Sequence, residues 1–349
     1  TGVSHVMGVI GHTCAINVLG TTQSSAAHRG VEATGEGEIP PIAPLTTGDQ
    51  TIPCRTLGAG VTQTQVGEIQ ATPVTTSTGD GEMAVMHGTG VTTPVRVEVL
   101  EAYLSGYDPG LKKMLVDGFR EGFQLGCLGK PRSPIPENLK SAEEFPEVVT
   151  QKLQKELKLG RIVGPFDDPP FRDYFHVSPV GVVPKQQPNT YRLIHHLSYP
   201  KGNSVNDFIP PEQASVTYAS VQDAISLIID TDDPVYLAKF DIHEAFRNLP
   251  VHPSDHSLLG IQWQGKYYFD TCLPMGSSSS CFLFESFSTA LKWVAEKKFG
   301  IQKIVKVLDD FLFIARSAET CFKNLSTFMT LCTKLGVPAA PGKDRKSVV

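Results

Sequence analysis

Two neighbouring carboxylates, Asp309 and Asp310, stand in the stretch VLDDFLFIA between runs that want burial. The flanking runs KIVKV (303–307) and FLFIA (311–315) are strand-length and rich in β-branched and aromatic residues. The local reading is therefore a β-hairpin with Asp-Asp at its tip. Aspartate is a turn residue in its own right and also a hard oxygen ligand, and both readings stay open at this point. A third carboxylate, Asp241, ends the run VYLAKF and opens DIHEAF. It is either the N-cap of a helical turn or a ligand at a strand's exit. If Asp241 meets the hairpin tip, three like charges converge, a group best tolerated with divalent cations between them. Mg2+ suits a few carboxylates plus waters and substrate phosphates, and Mn2+ can replace it. Two such ions can activate an attacking hydroxyl and neutralise a leaving pyrophosphate.

Two further groupings bear on the same chemistry. In LPMGSSSS (273–280), Pro274 and Gly276 re-aim the chain and serines open a long helix. This is either a plain cap or a place where Gly276 lets backbone approach a nucleotide while helix N–H groups face phosphate. Lys185 and Arg192 flank the turn signal QQPN. They are either solvated hairpin cations or a clasp for a triphosphate, with Arg192 bidentate.

The elements that must hold these residues are legible from periodicity. VRVEVLEAYL (95–104) and LKKMLVDGFREGFQL (111–125) have helical spacing, the latter with Leu111, Leu115, Phe119 and Phe123 on one stripe. FPEVVTQKLQKELKLG (145–160) is an amphipathic helix with Pro146 in its first turn and Gly160 as its stop. SPVGVVPK (178–185) and TYRLIHHL (190–197) should pair as a hairpin, as should the two halves of GIQWQGKYYFDTCL (260–273). Helices are predicted at 220–231, 279–298 and 321–336, with a strand at 234–241. Interleaved helices and antiparallel strands make the class α+β.

The bulk numbers bound the rest. A chain of 349 residues that is 40% hydrophobic can bury one large core or two ordinary ones. Its net charge of −5 does not advertise a nucleic-acid binder. Residues 1–93 hold two basic and seven acidic residues, which leaves 29 of each sign in the remainder. That first segment is dominated by Thr, Gly, Ala, Val and Ser without sustained period, so it reads as disordered. The cysteines, at 14, 54, 127, 272, 281, 321 and 332, include no C-x-x-C pair and read as reduced thiols of an intracellular protein. No signal peptide and no run long enough to span a bilayer is expected, so no membrane partner is.

The Lys185–Arg192 hairpin, FDIHEAF, LPMGSSSS and VLDDF, in this order, resemble the successive motifs of a reverse transcriptase, an RNA-directed DNA polymerase. GFREGFQLG (118–126), ELKLGRIVGPF (156–166), RLIHHLSYPKGNSVND (192–207) and LPVHPSD (249–255) narrow the resemblance to DIRS-type, tyrosine-recombinase retrotransposons, with long-terminal-repeat elements as the near alternative. It covers residues 95–343 and none of 1–93. The resemblance implies the fingers and palm of a right-hand polymerase, with an antiparallel palm sheet packed on helices. A helical extension would occupy 94–150, the fingers 151–235 and 254–270, the palm 236–253 and 271–343, and a truncated tail 344–349.

The same resemblance implies roles. Asp241 and Asp309 would bind two Mg2+ ions, with Asp310 beside them and the Ile242 carbonyl contributing. Lys185 and Arg192 would hold the incoming dNTP, and Phe246 would be the gate that rejects a 2′-hydroxyl. Met275 and Gly276 would lie beside the nascent base pair, and Lys343 would donate a proton to pyrophosphate. The partners implied are an RNA or DNA template-primer and, elsewhere in the element's polyprotein, an RNase H and a recombinase. Val307 stands where the family usually carries Tyr, and the primer grip and thumb would lie beyond Val349, so the chain reads as a fragment. The alternative is a catalytically silent remnant that binds nucleic acid or a protein. A structural cation site is a third reading.

Overall fold

The computed structural model describes residues 91–185, 188–232 and 234–340, together with the backbone of 345–348. Cys14, Cys54, Lys343 and all but the last three residues of the segment 1–93 lie outside the described residues. In chain order the helices α1 (Val97–Tyr103), α2 (Pro109–Glu121), α3 (Lys140–Glu144) and α4 (Pro146–Lys158) precede strands β1 (Ile162–Phe166), β2 (Val180–Pro184) and β3 (Tyr191–His195). Then come α5 (Pro211–Ala214), α6 (Val221–Ile229), β4 (Tyr236–Asp241), β5 (Gly260–Trp263), β6 (Lys266–Asp270) and α7 (Ser278–Phe299). Strands β7 (Ile304–Val307) and β8 (Asp310–Ala315), helix α8 (Ala318–Leu335) and strand β9 (Arg345–Val348) close the order. The class is α+β, and the paired strands are all antiparallel.

A four-stranded sheet in the order β7-β8-β4-β9 carries the carboxylates. Its side chains alternate, so one face presents Ala238, Phe240, Phe311 and Phe313, which join the main core with Phe284 and Phe287 of α7 and Phe328 of α8. The Phe240 and Phe328 rings meet edge-on at 5.2 Å. Each such fully buried ring contributes about 1.5–3 kcal/mol through removal of apolar surface from water. The opposite face presents Leu237, Leu312 and Ile314 with Val305, covered by Ala224, Leu227 and Ile228 of α6. Buried on both faces, β4 and β8 cannot slip by one residue without turning phenylalanines outward. The register that fixes the site is therefore set by the core.

A three-stranded sheet, β1-β6-β5, and the β2-β3 hairpin form a second unit. Val149 and Leu153 of α4 pack there with Ile162, Val180, Val182, Ile261 and Trp263. Three features shape these elements. Helix α2 stops at Glu121 because Gly122 turns the chain at φ +99°. Residues 162–166 form a strand on β6 despite Gly164 and Pro165, and the register shifts between Val163 and Phe166, an irregularity that accommodates proline. The tail 344–349 contributes β9, which pairs with β4. Among the described residues no helix is long and apolar enough to cross a membrane. Cys127, Cys272, Cys281, Cys321 and Cys332 are free thiols.

Candidate active site

Asp241 is the last residue of β4 and lies directly opposite Asp310, the first residue of β8. Directly opposed residues of an antiparallel pair project from the same face, so both carboxylates leave the sheet together. Asp241 is 7% exposed. It is a paired strand residue and not the N-cap of the turn that follows, whose N-cap position is Glu244. The β7-β8 connection closes at Val307↔Asp310, so its two loop residues are Leu308 and Asp309. This corrects the Asp-Asp tip: Asp310 already belongs to the ladder. Asp309 is nonetheless tied to the β4 exit, since the N–H of Ile242 donates to the Asp309 carbonyl at 3.0 Å. All three acids thus gather at one end of the sheet, through backbone pairing. As positioned, no group of three or more His, Cys, Asp or Glu side chains among the described residues stands close enough to hold a metal ion. The donor set at this sheet end is hard oxygen only, which fits Mg2+ or Mn2+ and no soft metal.

Three charged side chains support the turn. On the helix-facing side, Glu285 of α7 forms an ion pair with Lys306 of β7, and its other oxygen accepts the N–H of Leu308 at 3.0 Å. Lys306 is 6% exposed, and burial pushes its ammonium below the ordinary lysine range, with Glu285 only partly offsetting that. Leu308 has φ +51°, the left-handed region that a non-glycine residue adopts at a cost of about 1–2 kcal/mol. On the other face Lys239 of β4 sets its Nζ 2.8 Å from Asp310 Oδ1.

The LPMG segment packs against the end of β3. Gly276 has φ +138°, and a Cβ there would fall 2.0 Å from the His195 carbonyl oxygen, so its permissiveness serves backbone contact with the end of β3. The N–H of His195 donates to the Met275 carbonyl at 3.3 Å in the same contact. The serines do not cap α7 as expected: Ser277 at the N-cap makes no side-chain capping bond. Asn206 instead accepts the Ser278 N–H at 2.9 Å. In the β2-β3 hairpin Val183 pairs with Arg192 and the Lys185 N–H donates to Thr190, so alternation puts Lys185 and Arg192 on one face. That hairpin belongs to a different sheet from the carboxylates. Phe246 is half-buried, packed against the main core with its ring edge-on to Phe284 at 5.7 Å.

A buried charge network ties the Asp241 loop to the second unit. Arg247, in the turn after β4, lies 2.7 Å from Asp270 of β6 and 3.0 Å from Glu156 of α4. His195 Nδ1 lies 3.4 Å from the other Asp270 oxygen. Burial alone would push the Asp270 carboxyl up, but Arg247 foremost, then His195, hold it below the ordinary carboxylate range. Glu244, three residues after Asp241, is clamped by Lys155 and Arg161.

Sequence reading missed Lys239, Glu285 and Arg247. Two of them had a visible signal: Lys239 interrupts the apolar face of VYLAKFD two residues before the aspartate, and Glu285 interrupts the buried run CFLFESF. Arg247 had none, because its partners are distant in the chain.

Neither a protein-family model nor a curated protein matches the chain. It is similar in structure to the native protease-reverse transcriptase of prototype foamy virus, at 20% identity and a TM-score of 0.48 over 73% of this chain and 34% of that one. It is also similar to the foamy viral protease-reverse transcriptase in complex with double-stranded DNA, at 18% identity and a TM-score of 0.47 over 73% and 53%. A third is the same kind of protein in complex with an RNA/DNA hybrid, at 17% identity and a TM-score of 0.48 over 73% and 34%. The chain spans between about a third and a half of these proteins' lengths.

Proposed function

We propose that residues 151–343 are the fingers and palm of an RNA-directed DNA polymerase of a DIRS-type retrotransposon, preceded by a helical extension, and that it adds dNTPs to a primer 3′-hydroxyl on an RNA or DNA template. The observation that carries this reading is the direct opposition of Asp241 and Asp310 on one sheet face, with Asp309 bonded through its carbonyl to the β4 exit. Like charges facing each other across a ladder are destabilising, and that cost, met in part by Lys239, supports a role for the pair in chemistry. Asp241 and Asp309, with the Ile242 carbonyl, would hold Mg2+ or Mn2+, which when bound supplies Lewis acidity for nucleotidyl transfer.

The chain's own residues orient the reactants. Lys185 and Arg192, on one face of their hairpin, offer two cations to a triphosphate, the guanidinium as a fork. Phe246, half-buried against Phe284, is rigid enough to exclude a 2′-hydroxyl. Met275 and Gly276 stand beside the nascent base pair, and the four-stranded sheet is the palm floor. RNase H and recombinase domains of the element are the expected neighbours in its polyprotein.

Primer extension with a longer chain that includes a thumb tests this, in Mg2+ and in Mn2+. Incorporation is expected to fall by at least about a hundredfold in Asp241→Asn and in Asp309→Asn. Absence of incorporation in the unsubstituted protein, or equal incorporation in Asp309→Asn, overturns the assignment. The ion pair of Lys239 with Asp310 favours a second reading, a silent nucleic-acid-binding remnant. That reading requires salt-sensitive RNA binding indifferent to metal and to Asp241→Asn.

A further inference from the structure

Three consecutive carbonyls of the LPMG segment each accept a hydrogen bond. The Pro274 carbonyl takes the Ser280 hydroxyl at 3.0 Å, the Met275 carbonyl the His195 N–H at 3.3 Å, and the Gly276 carbonyl Asn206 Nδ2 at 2.7 Å. Asn206 makes a second contact there, since its Oδ1 accepts the Ser278 N–H at 2.9 Å in the first turn of α7. A backbone N–H only donates and a carbonyl only accepts, so the amide has one orientation, oxygen towards Ser278 and nitrogen towards Gly276. The residue is itself pinned to the chain just after β3. Its Nδ2 also donates to Ser198 Oγ at 2.8 Å, and its own N–H to the Leu197 carbonyl at 3.0 Å.

A β-carbon on Gly276 would fall 2.0 Å from the His195 carbonyl oxygen, so the segment cannot move closer to β3. The hydrogen bonds of Asn206 keep it from moving away. Arg192 stands three residues before His195 on β3, which puts a cation of the triphosphate clasp on the strand that Asn206 ties to Met275 and Gly276. We propose that Asn206 is a positioning residue for the incoming dNTP. It acts through the Gly276 carbonyl, holding Met275 and Gly276 in register with Arg192, and sets nucleotide affinity rather than the rate of the chemical step. This rests on the reading that Lys185, Arg192, Met275 and Gly276 face the dNTP. Capping, the ordinary duty of an asparagine at a helix start, explains the bond to Ser278 but not the one to Gly276.

Single-turnover incorporation of one dNTP by the thumb-containing chain tests this, read as the half-saturating dNTP concentration and the maximal rate, with thermal melting alongside. Asn206→Ala loses both bonds, whereas Asn206→Asp keeps an acceptor for the Ser278 N–H and loses only the donor to Gly276. A carboxylate at the start of α7 suits the helix dipole, so Asn206→Asp should melt within about 2 °C of the parent or above it. Half-saturation is expected to rise about fivefold or more in both variants, the effect of one lost hydrogen bond, with maximal rates within about threefold of the parent. A rise in the uncharged variant as well as the charged one excludes repulsion of the triphosphate as its cause. Half-saturation within about twofold of the parent in either variant overturns the proposal and leaves the polymerase standing. So does a loss of melting temperature in Asn206→Asp equal to that in Asn206→Ala, which makes the residue purely structural. No incorporation by the unsubstituted protein overturns both.

Discussion

Leu308 lacks glycine's freedom yet sits at φ +51° in the two-residue turn between β7 and β8. What holds it there is Glu285, which accepts the Leu308 N–H and pairs with the buried Lys306. Removing one partner of a buried pair leaves the other uncompensated. Glu285→Ala should therefore cost about 3–5 kcal/mol in urea unfolding. Adding Lys306→Met should recover most of that, leaving the unsatisfied Leu308 N–H, about 1–3 kcal/mol. A double variant no more stable than Glu285→Ala would show that the pair is not the source of the loss.

Glu244 joins two elements, the exit of β4 and helix α4, through Lys155 and Arg161. Its carboxyl is held down to about 2 from its ordinary 4.5. Burial would push it up, and hydrogen bonds from Lys155 and Arg161 outweigh that. A depressed carboxylate stabilises fully above its unfolded value and loses that contribution as pH falls towards the folded one. The urea midpoint should consequently drop between pH 4.5 and about 2 more steeply in the parent than in Glu244→Gln. Parallel pH profiles would remove the clamp from the account.

At this scale the sequence was readable where period and punctuation agree. The hairpins 180–195 and 260–270 and the helices over 278–299 and 318–335 follow their patterns closely. Strand β1 was hidden by Gly164 and Pro165, because its pairing comes from β6, about a hundred residues on. The Asp-Asp tip was misplaced by one residue because turn propensity favours aspartate, while the ladder register put Leu308 into the left-handed position.

Arg247 acts on the whole described body. It binds Glu156 of α4 and Asp270 of β6 and donates to the carbonyl of Cys272, so one guanidinium spans the loop after Asp241 and the second sheet. Arg247→Met should destabilise by about 3–5 kcal/mol, because Asp270 keeps only His195 and Glu156 only the longer contact with Arg161. Thermal melting checks this, and a loss under about 1 kcal/mol would make the network ornamental. Such a network is invisible in the linear chain, since its members are held together only by the finished fold.

The opposition of Asp241 and Asp310 has an evolutionary corollary. Neutral residues at either position would relieve a repulsion that the rest of the sheet must otherwise withstand. Random drift, left to thermodynamics alone, would run downhill towards amides there. Under the proposed function, the need for both acids opposes that slope.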